Sequence, residues 1–255
     1  MTELPLLELH GVSKRFGAVQ ALSQVDFSAY PGQIMALVGD NGAGKSTLIK
    51  GIAGIYAFDE GQVYFDGRKV TIHNPSDSAA LGIEVVYQDL ALADNLDVVA
   101  NMFLGRERTQ SFWRLDEAGM ERACIETLAS LSVTTLRSVR QPVASLSGGQ
   151  RQAIAVAKAV MWNSRLVILD EPTAALGVAQ TRQVLDLVKR LAEKGLAVVI
   201  ISHNLHDIFE VADRITVLRL GQKVAEFVTA DTNQQEVVHA ITAGTLEFVP
   251  GMEKE

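Results

Sequence analysis

The sequence predicts an α/β fold in which a mostly parallel sheet is joined by an antiparallel β layer and interrupted by an inserted helical subdomain. Three observations carry this. The short continuous apolar runs "QIMALV", "RLVILD" and "LAVVIIS" read as strands buried on both faces, as in parallel sheets. Segments of period two near both ends read as antiparallel strands with one solvated face. From about Asp89 to Asn163 strand patterning fades and helical spacing takes over.

In chain order, "LLELHGVSKRF" and "ALSQVDFSAY" predict two antiparallel edge strands, followed by a turn at Pro31-Gly32 and the buried strand "QIMALV" ending at Gly39. After Lys45, Leu48, Ile49 and Ile52 share one face of a helix, and "GQVYFDG" with its Asp-Gly turn predicts half of a hairpin. Asp116 is placed to N-cap a helix carrying Met120, Cys124, Leu128 and Leu131, and "GGQRQAIAVAKAVM" aligns Ile154, Ala157 and Met161 on one stripe. The core resumes with "RLVILD", a helix from about Val178 to Lys194 stopped by Gly195, the strand "LAVVIIS", and a closing pair around Gly221. The expected organisation is therefore an α/β core with its antiparallel layer in 1–88 and 164–245, a helical subdomain in 89–163, and a tail in 246–255.

With 255 residues, 48% hydrophobic and 21% charged, the chain can bury an ordinary core without disulfides or metals. A net charge of -7 and a pI near 5.3 give no long-range attraction to nucleic acid or anionic lipid, so no nucleic-acid partner is expected. The only cysteine, Cys124, falls in a helical pattern and reads as a small buried hydrophobe. The apolar runs are far shorter than the roughly 20 residues of a membrane span, and the N-terminus lacks the pattern of a signal peptide. Any membrane role would run through a partner.

"GDNGAGKST" matches G-x-x-x-x-G-K-[ST] at Gly39, Gly44, Lys45 and Ser46, between a buried strand and a helix as that phosphate loop requires. Asn41, Gly42, Ala43 and Thr47 complete the loop. Backbone N–H groups and the helix N-terminus cradle phosphate, Lys45 adds a mobile positive charge, and Ser46 can place a hydroxyl on Mg²⁺. Further oxygen ligands come from "LVILDEP": Asp170 ends an apolar strand, where it can hold the metal directly or through water, and Glu171 can orient or deprotonate an attacking water. Gln88 and His203 end other core strands, where each is either ordinary loop structure or a group reaching the γ-phosphate. His10, His73, His206 and His239 show no metal-ligand spacing and read as structural. "LSGGQ" repeats the phosphate-binding device, with Ser147 as N-cap and Gly148 and Gly149 exposing backbone N–H groups, but without a lysine or a feeding strand.

The ordered set "GDNGAGKST", Gln88, "LSGGQRQ", "LVILDEP" and "ISH", covering nearly the whole chain, resembles the ATP-binding cassette (ABC) ATPases, a P-loop NTPase fold. The resemblance implies that two cassettes, here a homodimer, sandwich MgATP head to tail, so that Ser147, Gly148, Gly149 and Gln150 serve the partner's nucleotide. It implies phosphate and Mg²⁺ binding by Lys45 and Ser46, Mg²⁺ binding by Asp170, Glu171 as base, Gln88 as metal sensor and link to the helical subdomain, and His203 on the γ-phosphate. Phe16 stands where the family usually has an adenine-stacking Tyr, so it either stacks the base or packs in a strand. Gly177 replaces the Asp that usually ends the segment after the base. That form, with "ANMFLGRE" and "ISHNLHDIFEVADRI", is similar to bacterial monosaccharide importers. Such a subunit works at the cytoplasmic face of the membrane with permease subunits and, indirectly, a substrate-binding protein. The alternative, a soluble cassette acting on nucleic acid or ribosomes, usually brings long insertions or basic surfaces, and neither is visible in this sequence.

Overall fold

The computed structural model describes residues 4–110 and 114–244. A six-stranded sheet has the order β10-β9-β3-β8-β7-β6, where β3 is Ile34–Val38, β6 Ile83–Val86, β7 Leu166–Asp170, β8 Ala197–Ile201, β9 Arg214–Arg219 and β10 Gln222–Val228. Its strands pair in parallel except for the β9–β10 hairpin. A four-stranded antiparallel sheet has the order β2-β1-β4-β5, with β1 Leu7–Phe16, β2 Val19–Ala29, β4 Glu60–Phe65 and β5 Arg68–Val70. The β4–β5 turn puts Asp66 and Gly67 both at positive φ, the left-handed pair that a two-residue hairpin loop needs.

The continuous apolar strands are divided by their period of two. Ile34, Ala36 and Val38 of β3, with Val167, Leu169, Val198 and Ile200, face one core; Met35 and Leu37, with Ile168, Val199 and Ile201, face the other. The second core is closed by the antiparallel sheet and by Leu48, Ile49 and Ile52 of α1 (Lys45–Ile52). The first is closed by helices, chiefly α5 (Gly148–Val160), α6 (Val178–Glu193), α7 (Leu205–Val211) and α8 (Gln234–Ala243). It continues without a break into the inserted segment, through Val98, Met102 and Phe103 of α3 (Val98–Phe103) and Met120, Cys124 and Leu128 of α4 (Glu117–Ser130).

Asp116 does cap α4, its Oδ1 accepting from the Gly119 amide at 3.0 Å, and Leu131 is buried just past the helix end. Met161 is the C-cap of α5 and only half-buried, so the predicted stripe ends a residue outside the helix. Gly195 ends α6 at positive φ, as expected. Burial pushes the Cys124 thiol up to about 12, with its Sγ 3.2 Å from the Met102 sulfur, so this cysteine is an unreactive core group. Three helices outside the predicted helical segment, α2 (Pro75–Ala80), α7 and α8, were not predicted, although Asn74 and Asp77 form a reciprocal capping box around Pro75 at the start of α2. Among the described residues no helix is long and apolar enough to cross a membrane. The predicted tail, 246–255, lies outside the described residues.

Candidate nucleotide site

Parallel pairing sets four strand ends level. Val38 of β3 lies near Ile201 of β8, Ile201 pairs with Asp170 of β7, and Leu169 pairs with Val86 of β6. The segments that leave these ends therefore share one rim: the loop 39–44 before α1, Gln88 after β6, Glu171 after β7 and His203 after β8. This is the carboxyl edge, where open α/β sheets hold ligands. Two adjoining clefts of about 390 and 520 Å³ open there and share Asn41, Gln88 and Glu171. The first is lined further by Gly42 to Thr47, Asp170 and Val19, the second by Gly39, Asp40 and His203. A smaller cleft of about 210 Å³ between α5 and α6, holding Asp186 and Arg190, is lined by Gly149 and shares no residue with the loop 39–47.

Gly39 can be nothing larger. Its φ is +149°, and a Cβ there would collide with the carbonyl oxygen of Leu218 on the neighbouring strand β9, inside the 3.0 Å that real Cβ contacts respect. The Lys45 ammonium donates to the carbonyls of Gly39 (2.6 Å) and Asp40 (3.0 Å), closing the loop on itself. Burial lowers the Lys45 pKa, while Glu171, Asp40 and Asp170 oppose the shift. Asp170 is raised, first by burial and then by the adjacent Glu171. Two acids are thus crowded at a half-buried rim, an arrangement that a bound cation relieves. Among the described residues no group of three or more His, Cys, Asp or Glu side chains forms a metal site. The donors on this rim, Ser46 hydroxyl, Gln88 amide and Asp170 carboxylate, are hard oxygens of the kind Mg²⁺ accepts alongside phosphate and water.

The raised Asp170 pKa has a stability consequence. An acid whose folded pKa lies above its unfolded value opposes folding once pH passes the unfolded value, because the unfolded chain ionises more easily. Asp170→Asn is therefore expected to raise the melting temperature of the nucleotide-free chain at neutral pH while lowering ATP hydrolysis. Calorimetry with a phosphate-release assay checks both signs.

Glu171 has a φ of +51°, a left-handed conformation costly for a side-chain residue, held by its amide donating to the Ile201 carbonyl at 2.9 Å. Its Oε2 lies 2.9 Å from His203 Nδ1; the carboxylate is mostly buried and the imidazole mostly exposed. Two residues after Glu171, Thr173 Oγ1 donates to the Asp207 carboxylate at 2.7 Å, both side chains buried. That bond ties the loop after Glu171 to the first turn of α7, just after His203. Sequence reading missed it because 34 residues separate the partners. It also missed Asn101, fully buried, whose amide donates to the carbonyls of Ala93, Leu96 and Asp97 and whose Oδ1 accepts from Ala93, fixing the loop that follows Gln88.

Ser147, Gly148, Gly149 and Gln150 lie away from these two clefts, at the start of α5. Ser147 caps it as predicted: its Oγ accepts from the Gln150 amide (3.3 Å), and the Gln150 Oε1 accepts from the Ser147 amide (3.0 Å). Gln150 Nε2 also donates to the Thr135 carbonyl at 2.7 Å. Gly148 is exposed, but Gly149 is buried, and a Cβ on it would press on the Gln180 side chain of α6 at 3.1 Å. Its absent side chain therefore serves helix packing too. Phe16 ends β1 with 47% of its surface exposed, which excludes core packing. Gly177 is the N-cap of α6, without a side-chain bond of its own.

A phosphate loop with acid, amide and imidazole groups converging from adjacent strand ends defines a P-loop nucleotide-hydrolysing cassette. A family model described as "ABC transporter" matches residues 22–174. The chain belongs to the ABC transporter family and is an ATP-binding, ATP-hydrolysing cassette. It is 44% identical to the fructose import ATP-binding protein FrcA of Rhizobium meliloti over 95% of both chains, and 45% identical to the xylose/arabinose import ATP-binding protein XylG of Sulfolobus acidocaldarius over 94% of this chain and 95% of that protein. Against the ribose import ATP-binding protein RbsA 1 of Rubrobacter xylanophilus the identity is 42%, and the chain spans 48% of that relative's length. A nucleotide-free ATP-binding cassette from an ABC transporter superposes with a TM-score of 0.80 at 26% identity, covering 92% of this chain and 94% of that one.

Proposed function

We propose that this chain is the ATPase subunit of a monosaccharide importer, working as a homodimer on a membrane permease. The convergence of Lys45, Ser46, Gln88, Asp170, Glu171 and His203 on one rim supports the chemistry; the importer names of its relatives support the role. Lys45 exchanges the carbonyls of Gly39 and Asp40 for the β- and γ-phosphates of ATP. Ser46 and Asp170, with Gln88, would hold Mg²⁺, which would supply Lewis-acid stabilisation of the phosphate charge. Glu171 accepts the proton of the attacking water, and His203, whose Nδ1 lies 2.9 Å from the Glu171 carboxylate, reaches the γ-phosphate from the neighbouring strand end. The capped N-terminus of α5, with Ser147, Gly148, Gly149 and Gln150, faces the partner's nucleotide and completes its site. At the dimer face Gly177 offers backbone alone. The subunit sits at the cytoplasmic side of the membrane, and a substrate-binding protein delivers sugar to the permease.

The test is an affinity purification of the tagged chain from detergent-solubilised membranes of its own source, with identification of what co-purifies. A multi-span membrane protein is expected; recovery of soluble partners alone, with the ATPase intact, would overturn the importer role.

A further inference from the structure

The mechanism above leaves one cluster beside the site unused. Lys14, Phe16 and Tyr56 come from two segments, the end of β1 and the turn after α1, and meet at the side of the phosphate loop. The Phe16 and Tyr56 rings stand edge to face, centroids 5.2 Å apart at 82°. The Lys14 ammonium lies 5.6 Å from the Phe16 ring centre and 5.3 Å from that of Tyr56. It is fixed by two bonds of 2.8 Å, to the Ala57 carbonyl and the Asp59 carboxylate, whose other oxygen accepts from the Arg15 amide at 2.7 Å. Tyr56 is anchored at its far end: its hydroxyl donates to the carbonyl of Thr47, in the first turn of α1, at 2.8 Å. Burial pushes that hydroxyl above its ordinary pKa, so it remains a donor. Across the β1–β2 turn Phe16 pairs with Val19, which is 65% exposed and lines the cleft with Asn41 to Thr47.

We infer that Tyr56 is a positioning residue for the nucleotide base: with Lys14 it holds the exposed Phe16 ring edge-on, and through Thr47 it fixes that ring relative to the phosphate loop. This rests on the reading that Phe16 stacks the base. A single phenylalanine at a strand end is free to turn about two side-chain bonds. One braced by a second ring and a fixed cation is pre-organised, so less freedom is lost when a flat ligand lands on it. The arrangement selects for the aromatic face of a base and contributes nothing to a ligand that has only phosphates.

The experiment measures equilibrium binding of ATP and of inorganic tripolyphosphate, both with Mg²⁺, to the whole chain and to Phe16→Ala, Tyr56→Ala and Tyr56→Phe. Tyr56→Ala is expected to weaken ATP about three- to tenfold and leave tripolyphosphate unchanged, while Tyr56→Phe, which keeps the ring, loses less than Tyr56→Ala. Unchanged ATP affinity in Tyr56→Ala, equal loss for both ligands, or equal loss in the two Tyr56 variants would overturn the inference. Loss of ATP binding in Phe16→Ala with none in Tyr56→Ala removes Tyr56 alone. An unchanged ratio of the two affinities in Phe16→Ala removes the base-stacking reading beneath it.

Discussion

Glu171→Gln is expected to bind MgATP as the parent chain does and to hydrolyse it 10²- to 10⁴-fold more slowly, the usual worth of a positioned general base. The amide keeps the shape of the side chain beside His203, whose Nδ1 lies 2.9 Å from the carboxylate, but it cannot take a proton from water. Binding is expected to survive because the change removes a charge that repels Asp170: Glu171 is the second cause of the raised Asp170 pKa, so that carboxylate ionises more readily in the variant. The loss should fall on turnover and not on affinity, which separates a base from a ligand. Phosphate release together with equilibrium nucleotide binding reads the two quantities. Turnover within a few-fold of the parent would remove Glu171 as the base.

Gly39→Ala is expected to be the most damaging single-methyl change in the phosphate loop. The methyl group meets the carbonyl oxygen of Leu218, and that residue has no room to retreat: its side chain is fully buried on β9, whose neighbour Val217 pairs with Val38 immediately before the loop. The loop must lift instead, at φ values an alanine avoids. Overpacking and backbone strain together cost on the order of 2–5 kcal/mol, and the Lys45–Gly39 bond at 2.6 Å goes with the displaced carbonyl. Thermal unfolding should fall by roughly 5–15 °C, with ATP binding lost. A variant that melts and binds like the parent would show that β9 yields to the added carbon. Gly42, with open space around its missing Cβ, offers the comparison in which only the strain is present.

Much of this site is local in the chain, and that is why it could be read there. The phosphate loop needs strand, glycines, lysine and helix within about fifteen residues, and "LVILDEP" sets a buried strand directly before its two acids. The same holds for Ser147, whose capping box closes within three residues. What escaped reading depends on pairs far apart. Tyr56 meets Phe16 across forty positions and Thr173 meets Asp207 across thirty-four, with no periodicity to announce either contact. Gly149 escaped differently: its glycine pair suggested exposed amides, and nothing nearby shows that α6 will lie against it. Phe16 has two readings in sequence because a ring at a strand end looks the same there whether it faces the core or the solvent. Its 47% exposure excludes core packing.

The core that runs unbroken from the sheet into the inserted helices bears on how the molecule can come apart. Two bodies with separate cores would melt in two steps and swing on a hinge. Here Val98, Met102, Phe103, Met120, Cys124 and Leu128 belong to the same buried cluster as Val167, Leu169 and Ile200, so removing the helices would strip the strands that carry Asp170 and end beside His203. A single melting transition is therefore the expected outcome, and calorimetry that resolves two would show that the helical segment unfolds by itself. Any turning of the Ser147 loop relative to the phosphate loop then re-sorts side chains within a shared interior and does not open a gap between two separate cores.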